Sequence, residues 1–167
     1  NLPAVCGRVC PHERQCEGSC ILGRKGQGIK IGKLERFIAD MDGELELVAP
    51  NVAKSQPGNI AVIGSGPAGL TVAGDLAKMG FKVTVFDSQP EAGGVLMYGI
   101  PEFRLPKQVV RREVKRIKKL GVDFKLNIMV GTEITVDELF NQGFDAIFIG
   151  TGNALSKSLP IDGAKLK

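Results

Sequence analysis

Four cysteines, Cys6, Cys10, Cys16 and Cys20, crowd into the first twenty residues, and no other cysteine follows. Their spacing is C-x3-C-x5-C-x3-C, in the run Cys6-Gly7-Arg8-Val9-Cys10-Pro11-His12-Glu13-Arg14-Gln15-Cys16-Glu17-Gly18-Ser19-Cys20. Thiolates hold iron–sulfur clusters in tightly spaced runs of this kind, and a proline after one ligand is a familiar companion. Zinc sites more often use two close pairs separated by a longer stretch, and here the middle gap is short. A disulfide pair belongs to an oxidising compartment, which nothing at the N-terminus announces. Iron–sulfur chemistry is the favoured reading; zinc, a disulfide and unliganded thiols stay open as alternatives. His12, the one histidine, reads as a loop residue beside the site, with ligation or base chemistry as the alternative.

The second chemical signal is Gly64-Ser65-Gly66-Pro67-Ala68-Gly69, which fits G-x-G-x-x-G. By itself the pattern is weak, but it follows a strand-like run and opens a helix-like one. In that context the first glycine permits a tight turn, the second lets backbone approach a pyrophosphate, and the third lets helix pack on strand. The helix N-terminus would offer unpaired N–H groups and partial positive charge to the phosphates. Asp87 ends the next strand about 20 residues past the turn, where a carboxylate can accept from a ribose diol. The turn alone fits a flavin or a nicotinamide dinucleotide. Gly93-Gly94 soon after Asp87, and a late apolar strand closing on Gly150-Thr151-Gly152, resemble the two-dinucleotide flavoproteins that use FAD.

These residues need elements to hold them. Asn59 to Gly64 reads as a buried strand, Pro67 to Gly80 as a helix with proline in its first turn, and Lys82 to Asp87 as a second strand, together a βαβ unit. Gly93 to Pro106 is rich in glycine and proline. Then Val110, Val114, Ile117 and Gly121 recur at helical spacing beneath a basic face of Lys107, Arg111, Arg112, Lys115, Arg116, Lys118 and Lys119. That face reads as a solvated surface, with a docking face for an acidic partner as the alternative. A strand over Val122 to Val130, a helix over Val136 to Asn141 and a strand over Asp145 to Gly150 complete the pattern. Upstream, Ile31, Leu34, Phe37 and Ile38 predict a helix over Ile29 to Asp40 packed on the cysteine loop. The fold expected is α/β, a Rossmann-like FAD-binding parallel sheet preceded by a small Cys-rich helical iron–sulfur segment. Its divisions are residues 1–48, a linker over 49–58 and the dinucleotide domain over 59–167.

With 43% hydrophobic and 24% charged residues, the chain is too apolar for disorder, and its 22 glycines follow no triplet period. No apolar run has the ~18–20 residues of a membrane helix, so no membrane partner is expected. A net charge of +4 with one tyrosine, no tryptophan and no reader motif gives no case for nucleic acid. Asn1-Leu2-Pro3 shows neither a signal pattern nor an initiator methionine, which suggests a cytoplasmic protein and a piece of a longer chain.

Together the motifs carry a resemblance. C-G-R-V-C-P followed by C-E-x-x-C, then I-G-K-L-E-R-F-I, G-x-G-P-A-G and G-G-V-L-M-Y-G-I-P-E-F-R-L-P-K, resemble the family of the NADPH-dependent glutamate synthase small subunit. The same set recurs in the N-terminal half of dihydropyrimidine dehydrogenase and in flavin subunits of ferredoxin:NADP oxidoreductases. The resemblance covers nearly the whole chain. It implies that NADPH delivers hydride to FAD, and that electrons leave singly through 4Fe-4S clusters to a large catalytic subunit or other acceptor.

Carried onto this sequence, the resemblance places the pyrophosphate turn on Gly64, Ser65, Gly66, Pro67, Ala68 and Gly69 and the ribose acid on Asp87. It puts Gly94 and Val95 on the flavin side, Arg104 against the cofactor and Val130 near the adenosine. Cys10, Cys16 and Glu35 would serve one cluster and Cys20 another, with Cys6 a further candidate assigned to neither. Glu35 as an oxygen ligand is unusual for iron–sulfur chemistry, and a plain helix-surface glutamate is its alternative. The family also has cysteines upstream and a second nucleotide domain for NADPH downstream, so these residues alone are expected to hold incomplete clusters and to be inactive in hydride transfer. A reading of another class is a non-catalytic interaction module with a structural zinc in the cysteine segment.

Overall fold

Ile60 to Ile63 and Val83 to Phe86 are nearly continuous apolar runs, as strands covered on both faces require. In the computed structural model, which describes residues 2–45, 51–153 and 160–163, they form β1 (Asn59–Ile63) and β2 (Lys82–Asp87). With β3 (Asp123–Leu126) and β4 (Ala146–Ile149) they make a four-stranded sheet in the order β3-β2-β1-β4. All three pairings are parallel, with Ile63 opposite Phe86 on one side and Ile149 on the other. Chain reversal between β2 and β4 falls at the C-terminal end of β1, the switch point where open parallel sheets bind ligands.

One face of the sheet is covered by α3 (Pro67–Lys78) and α5 (Lys107–Lys119), with the short α4 (Val95–Tyr98) between them in sequence. Val62, Val83 and Val85 pack there against Leu70, Ala73 and Ala77 of α3 and Val110, Val114 and Ile117 of α5. On the other face α6 (Val136–Asn141) sets Leu139 against Ala61, Ile63 and Phe86, whose ring meets Phe144 edge-on at 5.7 Å. Thr135 starts α6 with a reciprocal capping box to Glu138.

The sequence-derived elements recur with three differences. β3 stops at Leu126 rather than Val130, because Asn127 takes a left-handed φ of 58° that ends the strand. α4 forms inside the glycine- and proline-rich stretch, where no element was expected. The third concerns the N-terminal segment, which consists of α1 (Pro3–Val9), two short 3-10 turns and α2 (Ile31–Leu45).

That segment shares the main core. Leu2, Ala4 and Val5 at α1 and Ala39 of α2 join the cluster beneath α3 and α5. Leu34, Phe37 and Ile38, expected to cover the cysteine loop, are 53%, 63% and 64% exposed. α2 is instead turned so that Gly32 and Ala39 are buried, with Glu35, Asp40 and Asp42 half-buried beside them. Asp40 and Asp42 find guanidinium partners there and Glu35 meets the His12 ring, and charge pairing outweighs the apolar period. The expected boundary at 48–49 lies outside the described residues. Past it, residues 51–58 run along the end of α3, where the Ala53 N–H donates to the Lys78 carbonyl (2.8 Å) and the Gln56 N–H to that of Gly80 (2.9 Å).

Candidate functional site

The glycines of the turn are glycines for different reasons. Gly64, at φ 100°, lies so close to Gly150 that a Cβ would strike the Gly150 carbonyl, while the Gly150 N–H donates to Ile63 O at 2.7 Å. A Cβ on Gly69 would collide with the Gly64 carbonyl oxygen, the close strand-to-helix approach anticipated for the third glycine. Gly66 has neither constraint. It caps α3 with an ordinary φ of −68°, and a Cβ there would meet no protein atom within 4 Å. No side chain caps α3, so the turn presents bare backbone and helix-terminal N–H groups to open space. A pyrophosphate fits a cradle of this shape and polarity.

Ser65 organises the surroundings of the turn. It is fully buried; its hydroxyl donates to Asp87 Oδ2 at 2.5 Å and accepts from the Gly93 N–H at 3.1 Å. The Ser65 N–H reaches the same carboxylate oxygen at 2.7 Å, and the Gln89 N–H reaches Oδ1 at 2.9 Å. Asp87 therefore closes the turn from within, and a carboxylate with about four acceptor sites keeps limited capacity for a ribose. Through Gly93 the double glycine is drawn over the turn: Gly94, at φ 53°, sits so near that a Cβ would lie 2.7 Å from Gly66 Cα.

The remaining candidates spread around this centre. Val95 opens α4 and is exposed, as is Arg104, whose N–H donates to Pro101 O at 3.0 Å. Val130 packs on the opposite face of the sheet with Ile63 and Phe86. Lys107 was not foreseen: its ammonium donates to Leu96 O at 2.9 Å and also to Ile100 O, fastening α4 to the start of α5. Gly150 was visible only as part of Gly150-Thr151-Gly152, because its partner Gly64 is distant in sequence.

The cysteine loop is held by local bonds. Cys6 lies on α1, Cys10 at its end, Cys16 in a turn and Cys20 before the second 3-10 turn. The N–H groups of Glu17 and Gly18 donate to His12 O, coiling the segment between Cys10 and Cys20. Two side chains then dock the coil on α2. Glu17 Oε1 accepts from the Gly32 N–H at 2.9 Å, and His12 Nε2 lies 3.3 Å from Glu35 Oε2. Gly32 makes room for this, since a Cβ would meet the His12 ring.

All four thiols are free, and among the described residues no three His, Cys, Asp or Glu side chains are gathered at one point to hold a metal. The thiols are nevertheless prepared differently. Backbone N–H groups of Ile29, Leu22 and Gly23 lower the pKa of Cys20 from the usual cysteine value, favouring its thiolate. Cys6 is exposed overall, yet enough protein surrounds its sulfur that desolvation, reinforced by Glu35, pushes it up. Soft thiolate donors beside backbone N–H groups fit an iron–sulfur cluster at Cys20.

Between turn and loop lies a charged seam. Arg8 NH2 donates to both oxygens of Asp40 at 2.9 Å, Arg112 NH2 reaches Asp40 Oδ1 at 3.2 Å, and Arg116 pairs with Asp42. Partial burial alone would raise the Asp40 carboxyl, but Arg8 and Arg112 outweigh it and hold its pKa below the usual value. Glu113, 2% exposed, is pushed up by burial against the lesser pull of Arg116 and Arg112. Two residues of the basic helix, Arg112 and Arg116, thus find acidic partners in the chain's own α2, while Arg111, Lys115, Lys118 and Lys119 are exposed, as a solvated face would be.

A parallel sheet with a glycine turn at its switch point, joined to a thiol-bearing loop, defines a dinucleotide-binding protein of redox type. The chain belongs to the pyridine nucleotide-disulphide oxidoreductase family, whose pattern it matches over residues 58–167. Residues 1–47 match the 4Fe-4S cluster domain described as domain II of dihydropyrimidine dehydrogenase, so the zinc-module alternative finds no support. The chain is 44% identical over 152 residues to the NADPH glutamate synthase small chain of Escherichia coli, covering 90% of this chain and 32% of that protein. Against the Bacillus subtilis small chain it is 42% identical over 168 residues, covering 100% and 34%. It spans about a third of the length of both relatives. Among solved structures, Mycobacterium tuberculosis FprA in complex with NADPH shares the fold, with a TM-score of 0.54 at 24% identity over 66% of this chain and 26% of that one. Among the described residues no helix is long and apolar enough to cross a membrane.

Proposed function

We propose that this chain binds FAD on the glycine turn and contributes ligands to 4Fe-4S clusters through the cysteine loop, as the electron-entry part of an NADPH-dependent oxidoreductase. The observation that carries the reading is Gly66, a glycine that neither its own backbone angle nor any neighbouring atom demands. An external group approaching the backbone supplies the missing reason. Gly66 and the α3 terminus would bind the pyrophosphate, Gly94 and Val95 would line the flavin side, and Asp87 would offer its remaining capacity to the ribose. Arg104 stays as a candidate cofactor contact and Val130 as one near the adenosine.

When bound, FAD can accept two electrons as hydride and release them one at a time. The chain's own contribution is placement and exclusion: buried Ser65 keeps the turn closed against Asp87 and Gly93. Cys10, Cys16 and Glu35 are proposed for one cluster and Cys20 for the other. Cys6, with its thiol pushed up, is the weakest ligand candidate. Hydride transfer needs the nicotinamide against the flavin at roughly 3–3.5 Å, which takes a second nucleotide site beyond this single turn. The small-chain relatives suggest that a larger subunit receives the electrons.

Mixing the holoprotein containing this chain with NADPH under anaerobic conditions is the test. The reading expects flavin, iron and sulfide in the purified protein, and flavin bleaching followed by cluster reduction in stopped flow. A colourless protein containing zinc and no flavin would overturn it.

A further inference from the structure

Lys107 is a cation at the first residue of α5, where the positive end of the helix dipole disfavours one. Glu102 supplies the negative charge that this terminus favours, its carboxylate accepting the Lys107 N–H at 3.2 Å. The lysine side chain does not stay there. It folds back to α4, and its half-buried ammonium donates to Leu96 O at 2.9 Å and to Ile100 O. Neither carbonyl accepts a backbone N–H among the described residues, and a cation is favoured beside the orphan carbonyls of a helix end. The residue type at this position is therefore explained by α4 and not by its own helix.

α4 has one turn, too short to keep its own place. Leu96 and Met97 bury its inner face in the main core, but apolar attraction has no direction. The chain enters α4 through Gly93 and Gly94, at φ 136° and 53°, a pair that leaves the backbone free to turn. Polar contacts set its orientation at both ends. At the entry, the Gly93 N–H donates to Ser65 Oγ at 3.1 Å, and Gly94 lies so close to the glycine turn that a Cβ would fall 2.7 Å from Gly66 Cα. At the exit, Lys107 ties α4 to α5, which Val110, Val114 and Ile117 fix in the core.

We propose that Lys107 is a positioning residue for dinucleotide binding: its ammonium clasps α4 to α5 and thereby holds Gly94 and Val95 where they complete the cradle over Gly66. This rests on the reading above that the turn binds FAD. Without the clasp α4 swings on the glycine pair, and the dinucleotide binds the fraction of molecules that have α4 in place. Apparent affinity falls in proportion to that fraction.

The test takes the holoprotein containing this chain, strips its flavin and titrates FAD back by flavin fluorescence, with a thermal melt of each apoprotein. Lys107→Met removes the clasp, and Lys107→Gln keeps one amide donor if the first variant folds poorly. Lys107→Arg keeps both charge and donors. Lys115→Met, exposed on the same helix, is the control for charge alone, since the pyrophosphate is anionic. With α4 in place about a tenth of the time, Lys107→Met should raise the Kd for FAD about tenfold while its melt is retained. Lys107→Gln should fall between it and the wild type, Lys107→Arg should recover most of the affinity, and Lys115→Met should match the wild type. The Leu96 and Met97 amides, bonded to Gly93 O and Gly94 O, should exchange faster in the Lys107→Met apoprotein. Unchanged affinity in Lys107→Met overturns the proposal, as does an equal loss in Lys115→Met, which would make the effect one of charge at a distance. Loss of a cooperative melt in both Lys107→Met and Lys107→Gln also overturns it, because the lysine would then build the fold rather than place α4. A wild-type protein that takes up no FAD would instead sink the underlying reading.

Discussion

At the glycine turn the ligand-facing surface is backbone, placed by the register of β1 with β2 and β4 and closed by buried Ser65. At the cysteine loop it is thiol side chains on 3-10 and irregular turns, docked through Glu17 and His12, with Cys6 and Cys16 exposed. The first site takes its shape from the same hydrogen bonds and core that fold the sheet. The second has its donors on one loop but not converged on a point among the described residues. A backbone site is finished by folding, whereas a thiolate site is finished by its metal, whose binding free energy is part of the folding free energy.

Substitutions can break or sharpen this contrast. Gly69→Val should have the largest effect, more than about 3 kcal/mol of lost stability, because its Cβ would strike a backbone carbonyl fixed by the sheet. Urea denaturation measures it, and a near-native midpoint would show that the turn can relax. Ser65→Ala should cost about 1–3 kcal/mol, since the Gly93 N–H loses its acceptor inside the protein. Loosening should also appear as faster amide exchange at Gly93.

The seam between the two regions gives a pH-dependent test. Burial raises the Glu113 pKa in the folded state, so its contribution is fully present below the unfolded value of about 4.3 and is lost as pH rises through the folded value. Glu113→Gln abolishes this loss and should leave the protein more stable than the wild type at neutral pH, with little difference near pH 4. Thermal melts across that range would contradict the account if both proteins changed in parallel. Smallest in energy is the difference between thiols. In the metal-free chain Cys20 should be alkylated at lower pH than Cys6, since its thiolate is favoured and that of Cys6 is not. Mass spectrometry of the labelled peptides reads the order directly.

The sheet and the turn were legible because their signals are local. Asn59 to Asp87 contains strand, glycine turn, helix and strand in one stretch, each agreeing with the next. What local pattern misled was α2. Leu34, Phe37 and Ile38 have the spacing of a buried stripe, but the buried side was decided by Arg8, Arg112 and Arg116, two of them far along the chain. The basic face of α5 was visible as charge, yet its partner could not be read from α5 alone. Asp87 was picked out by its place at a strand end; that it also holds Ser65 depends on a side chain folding back across the turn.

The central claim is that Gly66 is a glycine for the sake of a bound dinucleotide, and Gly66→Val tests it most directly. FAD affinity and thermal stability would be measured on the same holoprotein preparation after flavin removal and readdition. The account predicts a melting temperature close to wild type, because the Cβ it adds meets no protein atom within 4 Å, together with loss of stoichiometric FAD binding. Full FAD binding by a normally folded Gly66→Val protein would contradict it.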